Sequence, residues 1–260
     1  MTAHNNLRTI VSSLVLPLLL IMSVGYAARH ALAAVPDSMP RVLIEKRRIV
    51  IVRTGKITRE FPEKKRAVLF YPVVKGSKDS EVLRRVRAIL DFKNIFGSSL
   101  AEYRQGDWLT DFDYKVNYNQ NYILDITFTE SGSGAYPDTH TKHFAINLRN
   151  GELIKAADAF DSSSLNTLVA LVDRKLQAEV RQILKENRDE KDAQDLFKEV
   201  KFKRSDLDDF SIGSRGVTFL YDAGFPHVIQ ALQPNGRYFF SYAQLKSYIK
   251  RDGPLAFFIR

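Results

Sequence analysis

His140 and His143 stand three residues apart, a spacing that ligates a metal from one face of a helix. In an extended strand the same spacing puts them on opposite faces, and no HExxH pattern accompanies them. Asp111 with Asp113, and Asp206 with Asp208 and Asp209, are carboxylate groupings of the kind that cleave glycosidic bonds. On a strand Asp111 and Asp113 share one face and Phe112 takes the other, which reads as the solvent side of a hairpin. The second cluster reads as the opening of a turn before Phe210. Tyr114, Tyr118 and Tyr122 could stack on sugar rings, but they share a face with Val116 and Leu124, which favours core packing. The G-x-S-x-G, S-x-x-K, P-loop and GxGxxG signatures are absent. The sequence has no Cys, which excludes disulfides, thiolate metal sites, a cysteine nucleophile and a lipidated cysteine. The expectation is therefore no catalytic residue, no metal and no cofactor. What remains is a Gly/Ser stretch, Glu130 to Pro137, read as a loop projecting from a sheet edge. Its Ser131, Ser133 and Tyr136, with nearby His140, are the expected ligand-binding residues, because loops carry recognition.

The elements that must position these residues are legible from periodicity. Val42–Ile44, Ile49–Val52 and Ala67–Val73 read as strands, and Ser80–Phe92 as a helix with Val82, Val86, Ile89 and Leu90 on one side. Apolar and aromatic residues alternate at even positions from Phe112 to Tyr118 and again from Tyr122 to Phe128. That is an antiparallel hairpin with one buried face, turning at Asn119–Asn121. Thr139–Leu148 continues the sheet and Asn150-Gly151 supplies a tight turn. The longest helix is predicted at about 164–185, with its apolar stripe from Leu165 to Leu184. A shorter helix follows at 191–200, then strands at 217–221, 227–231 and 238–241 and a closing helix at 242–250. The order predicts an α+β fold of mainly antiparallel sheets, two or three packed helices and two linked subdomains.

The N-terminus carries a different signal. Arg8 precedes an apolar run, Ile10–Val24, of signal-peptide length, and Ala31-Leu32-Ala33 has the small-x-small pattern read by signal peptidase. Cleavage is expected after Ala33, with an uncleaved anchor as the alternative. Either places residues 34–260 in the periplasm or outside the cell. The net charge is +9, and residues 41–66 hold ten Lys and Arg against Glu45, Glu60 and Glu63. The excess is thus local. Lys46, Arg47, Arg48, Lys64, Lys65 and Arg66 are the expected contact set for an anionic partner, although such runs are often only the solvated side of a strand pair. Nucleic acid would suit the charge, but export argues against it. Membrane contact is expected only through the N-terminal segment, if uncleaved.

The stretch from Tyr114 to Phe160 resembles the RsiV-type extracellular domain, a family of unknown function. Gly134-Ala135-Tyr136-Pro137 matches its loop, and Phe144 to Phe160, with Gly151, Ile154, Asp158 and Phe160, matches the run that follows. Gly216–Tyr221 and Phe239–Leu245 resemble its closing strand and helix start, so the likeness covers roughly residues 65–250. The resemblance implies an α+β fold of two linked subdomains. The best-understood member is the ectodomain of an anti-sigma factor that senses lysozyme by binding it, and relatives precede a peptidoglycan deacetylase. This sequence departs from the sensor. Only nine residues precede its apolar run, leaving no sigma-binding segment, and its basic charge opposes encounter with basic lysozyme.

The resulting layout is a signal segment 1–33, basic strands 34–66, a first subdomain 67–130, a second, RsiV-like subdomain 131–250 and a tail 251–260. The expected function is an exported, non-enzymatic binding domain of the bacterial envelope that recognises peptidoglycan or another envelope component, with cell-wall glycan or an anionic envelope polymer as partner. The alternatives are a sensor or inhibitor binding a lysozyme-like protein, and an envelope hydrolase using the Asp pairs.

Overall fold

The computed structural model describes residues 40–76, 80–134, 136–187 and 193–260. The expected signal segment and its Ala33 cleavage point lie outside them. Val35–Arg260 forms a compact unit of its own. Among the described residues no helix is long and apolar enough to cross a membrane.

The fold is α+β. Strands β1 (Leu43–Val52) and β2 (Arg66–Lys75) pair antiparallel, with the short α1 (Lys56–Glu60) between them. The two predicted runs, Val42–Ile44 and Ile49–Val52, are one continuous strand; the charged residues between them alternate across it rather than interrupting it. Three helices follow, α2 (Glu81–Ile89), α3 (Phe92–Phe96) and α4 (Leu100–Gln105). Ser80 caps α2 by accepting from the Leu83 amide at 3.2 Å, and Val82, Leu83 and Val86 are its buried stripe. Gly97 closes α3 with φ 83°, and Ser99 with Glu102 forms a capping box on α4. β3 (Leu109–Gln120) then pairs parallel with β2, a crossover that the helices make possible. β4 (Ile123–Ser133), β5 (Pro137–Asn147) and β6 (Glu152–Leu153) complete a six-stranded sheet in sequence order.

Beyond it come α5 (Ala156–Ala159), the long α6 (Leu165–Glu186), α7 (Ala193–Leu196) and a second antiparallel sheet. That sheet is β7 (Phe210–Ile212), β8 (Gly216–Leu220) and β9 (Arg237–Ser241), followed by α8 (Tyr242–Leu245). The predicted strand at 227–231 is instead a 3-10 turn, His227–Leu232. The predicted helix at 242–250 stops at Leu245, and Ile249 forms a bridge to Phe160.

Two hydrophobic cores divide the molecule. The first lies between the six-stranded sheet and α2–α4, around Leu69, Phe112, Ile126 and Phe128. The second joins the α6 stripe (Leu165, Leu168, Val172, Leu176, Val180) to β7–β9. It also takes Tyr118, Ile123 and Ala145 from the large sheet. The β3–β4 hairpin therefore buries both faces, not one. A register shift between Val116 and Tyr118 turns Tyr118 from the first core to the second. The turn falls at Asn121 and Tyr122, with φ 52° and 64°, rather than at 119–121. The expected boundary near 130–137 is inside the β4–β5 hairpin, whose pairing runs unbroken from Ile123↔Asn147 to Ser133↔Pro137.

Candidate functional site at the β4–β5 hairpin

Register places the site. Glu130 pairs with His140 and Gly132 with Asp138, so these side chains share the face that α4 covers. Buried Glu130 accepts from the Tyr103 hydroxyl at 2.5 Å and meets His140 Nδ1 at 3.1 Å. Asp138 meets His140 Nε2 at 3.1 Å. The Trp108 indole lies flat on the His140 ring, 5.2 Å between centroids and 17° between planes. Its approach depends on Gly132, where a Cβ would come within 2.4 Å of the indole.

Arg53 holds the supporting elements together. Buried in β1's extension, its guanidinium donates to the carbonyls of Tyr103 at 3.2 Å and Leu109 at 2.8 Å, and to that of Lys64 at 2.9 Å. It thereby ties the end of α4 to the start of β3, the segment that carries Trp108. Burial pulls its pKa down, against the pull of Asp107.

The electrostatics favour a charged ring. Burial pushes the His140 pKa down, but the hydrogen bond to Glu130 and the charges of Asp138 and Glu130 outweigh it, and the net direction is up. Burial, with the hydrogen bond to and charge of Glu130, pushes the Tyr103 hydroxyl pKa up as well, far from ionisation. Both imidazole nitrogens face carboxylates, so the ring has no lone pair free for a metal or a substrate proton. Among the described residues no cluster of three His, Asp or Glu is arranged to hold a metal ion.

The stretch read as a loop is mostly strand. Ser131 and Ser133 belong to β4, and Pro137 already begins β5. Ser131 faces away from His140, its hydroxyl 3.1 Å from that of Thr139, because pleating alternates the faces. The four residues expected to form one site are thus split. His140 joins the carboxylate network, and Ser131 and Ser133 point to the other face. Tyr136 sits at the tip, 62% exposed, stacked on His227 at 4.8 Å.

The other candidates scatter. Asp111 and Asp113 do share a face, where Asp113 pairs with Lys46 at 2.9 Å; burial and Asp113 raise the Asp111 pKa against Lys46. Asp206 accepts from the Lys203 amide and Asp208 from the Ala156 amide, both structural ties. Asp209 has its pKa raised, chiefly by burial. Tyr114 packs on the first core, Tyr118 on the second, and Tyr122 occupies the turn, so they form no common platform.

The expected basic set is also divided. Lys46 is engaged by Asp113 and lies 4.0 Å over the Phe70 ring, and Lys64 pairs with Asp107 at 3.2 Å. Lys46, Arg48 and Arg66 share one face of the β1–β2 pair, Arg47 points to the other, and Lys65 lies in the turn before β2. Arg47, Arg48, Lys65 and Arg66 are exposed.

Sequence reasoning missed a second network on the opposite face of the same strands. Fully buried Asp125 accepts from the Ile212 amide at 2.6 Å, the Ser211 hydroxyl at 2.9 Å and the Asn117 amide at 2.7 Å. Asn117 also donates to Thr127 Oγ1 at 2.7 Å, which lies 2.8 Å from His143 Nδ1. This chain stitches β3–β5 to β7. Burial pushes Asp125 up to about 6 despite its three donors, and burial with Arg237 pushes His143 down to about 4.

The sequence matches no family model and no curated protein sequence. Two solved structures are similar in fold. A member of the DUF3298 family from Bacteroides fragilis shares 14% identity at a TM-score of 0.53, over 86% of this chain and 99% of that one. A DUF3298 family protein from Pseudomonas aeruginosa shares 14% identity at a TM-score of 0.48, over 82% and 96%. At this identity the first likeness shows the fold alone, which is that of a domain family of unknown function.

Proposed function

We propose that this chain is an exported, non-enzymatic binding domain of the bacterial envelope that holds the glycan of peptidoglycan against the end of the β4–β5 hairpin. The reading rests on one observation: an imidazole fixed flat on an indole, clamped by two carboxylates, with its side chain 52% exposed. Flat rings receive the C–H faces of a pyranose, and carboxylates accept from its hydroxyls. The aromatic pair at the tip, Tyr136 on His227, extends the same hairpin with a second ring surface.

Sedimentation of Val35–Arg260 with purified peptidoglycan tests this. The chain should pellet with the wall, and His140→Ala with Tyr136→Ala should lower the bound fraction at least tenfold. A wild-type chain that stays in the supernatant, or a double variant that pellets equally, overturns it.

A lysozyme-like protein is the second reading. Val228, 87% exposed, adjoins the Tyr136–His227 stack and makes a small apolar contact surface. A pull-down with lysozyme at physiological salt decides it, and absence of a complex at micromolar concentration removes it.

A further inference from the structure

Three cavities flank the C-terminal segment, apart from the hairpin site; one, about 240 Å³, is lined by Glu152, Asp158 and Asp252, and the other two are basic. Of the basic pair, one, about 480 Å³, opens between the β3–β4 turn and the chain after Lys250; Tyr122, Arg149, Arg251 and Phe257 are among its walls. The other, about 620 Å³, lies beside α8 and is lined by Lys246 and Ile259 among others. Arg251, Ala256 and Arg260 line both, so the cavities share one wall. We propose that this double cleft binds the phosphate head group and adjoining acyl chain of an anionic phospholipid at a membrane surface.

Charge is the first argument. The side chains of Arg149, Lys246, Arg251 and Arg260 face Asp252 as the one side-chain carboxylate lining the two cavities. Among the described residues none of these four cations has a carboxylate at ion-pair distance. This contrasts with Lys46, Lys64 and Lys75 near the N-terminus, each of which is paired. Unpaired cations gathered on a concave surface focus a positive potential, and three of them are arginines, whose planar fork matches phosphate oxygens.

Size and polarity choose the amphiphile. A bare phosphate would leave most of either cavity empty, whereas volumes of several hundred Å³ suit a larger ligand. Ala256 and Ile259 make part of the lining apolar, and Phe257 stands 56% exposed at the edge. An exposed aromatic that shares its cavity with Arg149, Arg251 and Arg260 is a residue set that seats a protein at the head-group layer of an anionic bilayer.

One of these cations is held in place by an aromatic ring. The Tyr122 ring, in the β3–β4 turn, lies 3.8 Å beneath the Arg149 guanidinium and holds it at the cavity wall.

Vesicle sedimentation of Val35–Arg260 tests the proposal. Vesicles containing phosphatidylglycerol should carry the protein down at physiological salt, and pure phosphatidylcholine vesicles should not. Lys246→Glu with Arg251→Glu should lower the bound fraction at least tenfold, and Phe257→Ser several-fold at unchanged charge. Arg47→Glu with Arg48→Glu on β1 should leave it within twofold. Thermal melts establish that each variant folds. Should the double reversal fail to fold, Lys246→Gln with Arg260→Gln carries the same expectation. Equal binding to both lipids, or loss that follows the β1 variant, overturns the proposal. So does release by inorganic phosphate beyond that given by chloride of equal ionic strength, which would mark a small-anion site.

Discussion

His140 and His143 leave β5 three residues apart and enter opposite environments. His140, on the α4-covered face, is half exposed between two carboxylates and its pKa is raised. His143, on the face turned to the second sheet, is buried beside Thr127 and its pKa falls to about 4. Both networks hang on the β4–β5 ladder, at Glu130↔His140 and Thr127↔His143. The difference shows how pleating lets one strand serve two tasks. One face presents fixed charge to solvent. The other uses buried polar groups, with the Asp125 carboxyl at their centre, to join two cores.

The comparison breaks most severely at Asp125. Asp125→Ala should lower stability by about 3 kcal/mol or more, because the Ile212, Ser211 and Asn117 donors would lose their buried acceptor. Urea unfolding measures it, and a loss below about 1 kcal/mol would separate the seam from the stability of the fold.

The next effect lies in pH dependence. His143 titrates near 4 when folded and near 6.5 when unfolded, so its contribution is present above pH 6.5 and lost as pH falls towards 4. That loss amounts to about 3 kcal/mol. Asp125 acts with the opposite sign. Its folded value of about 6 exceeds the ordinary 3.8, so its contribution is present below 3.8 and lost as pH rises through 6. The two partly cancel in the wild type. His143→Gln should expose a fall in stability between pH 4 and 6, and Asp125→Asn a rise over the same range. Melting temperatures across that range measure both slopes.

At the hairpin site the stability effects are smaller. Glu130→Gln keeps an acceptor for Tyr103 but removes the charge facing His140, and should cost about 1 kcal/mol. His140→Ala should cost only a few tenths of a kcal/mol, since the ring is half exposed and its ion pairs are screened. The raised pKa of His140 places its small contribution below pH 6.5, lost as pH rises through the folded value. On wall binding the order should reverse, with His140→Ala the stronger of the two. A seam variant that folds should bind as the wild type does.

Local signals in the sequence located most elements. The alternation in Phe112–Phe128, the Asn150-Gly151 turn and the stripe of α6 each reflect neighbours within one strand or helix. What was hidden depends on distant partners. The register shift before Tyr118 follows from β7 packing against the hairpin, and nothing near Val116 announces it. Asp125 stands in the apolar run Ile123–Phe128, and a lone acid there is the trace of a buried joint, but two of its three partners, Ser211 and Ile212, are over 80 residues away. Glu130 opposite His140 was within reach, since extending the hairpin ladder through the Gly/Ser stretch pairs them. Reading that stretch as a loop concealed it. Trp108 could not be placed beside His140 without the α4–β3 connection that Arg53 fastens.

β1 is an outer strand of the six-stranded sheet, ten residues long, with no neighbour on one side among the described residues. Such a rim is a template on which another chain can extend, and its danger is greatest while copies are still folding. Glu45, Lys46, Arg47 and Arg48 occupy the middle of that rim. Two copies attempting to zip together there would bring Lys46, Arg47 and Arg48 of one against the same cations of the other, so the basic run opposes that pairing without needing any partner.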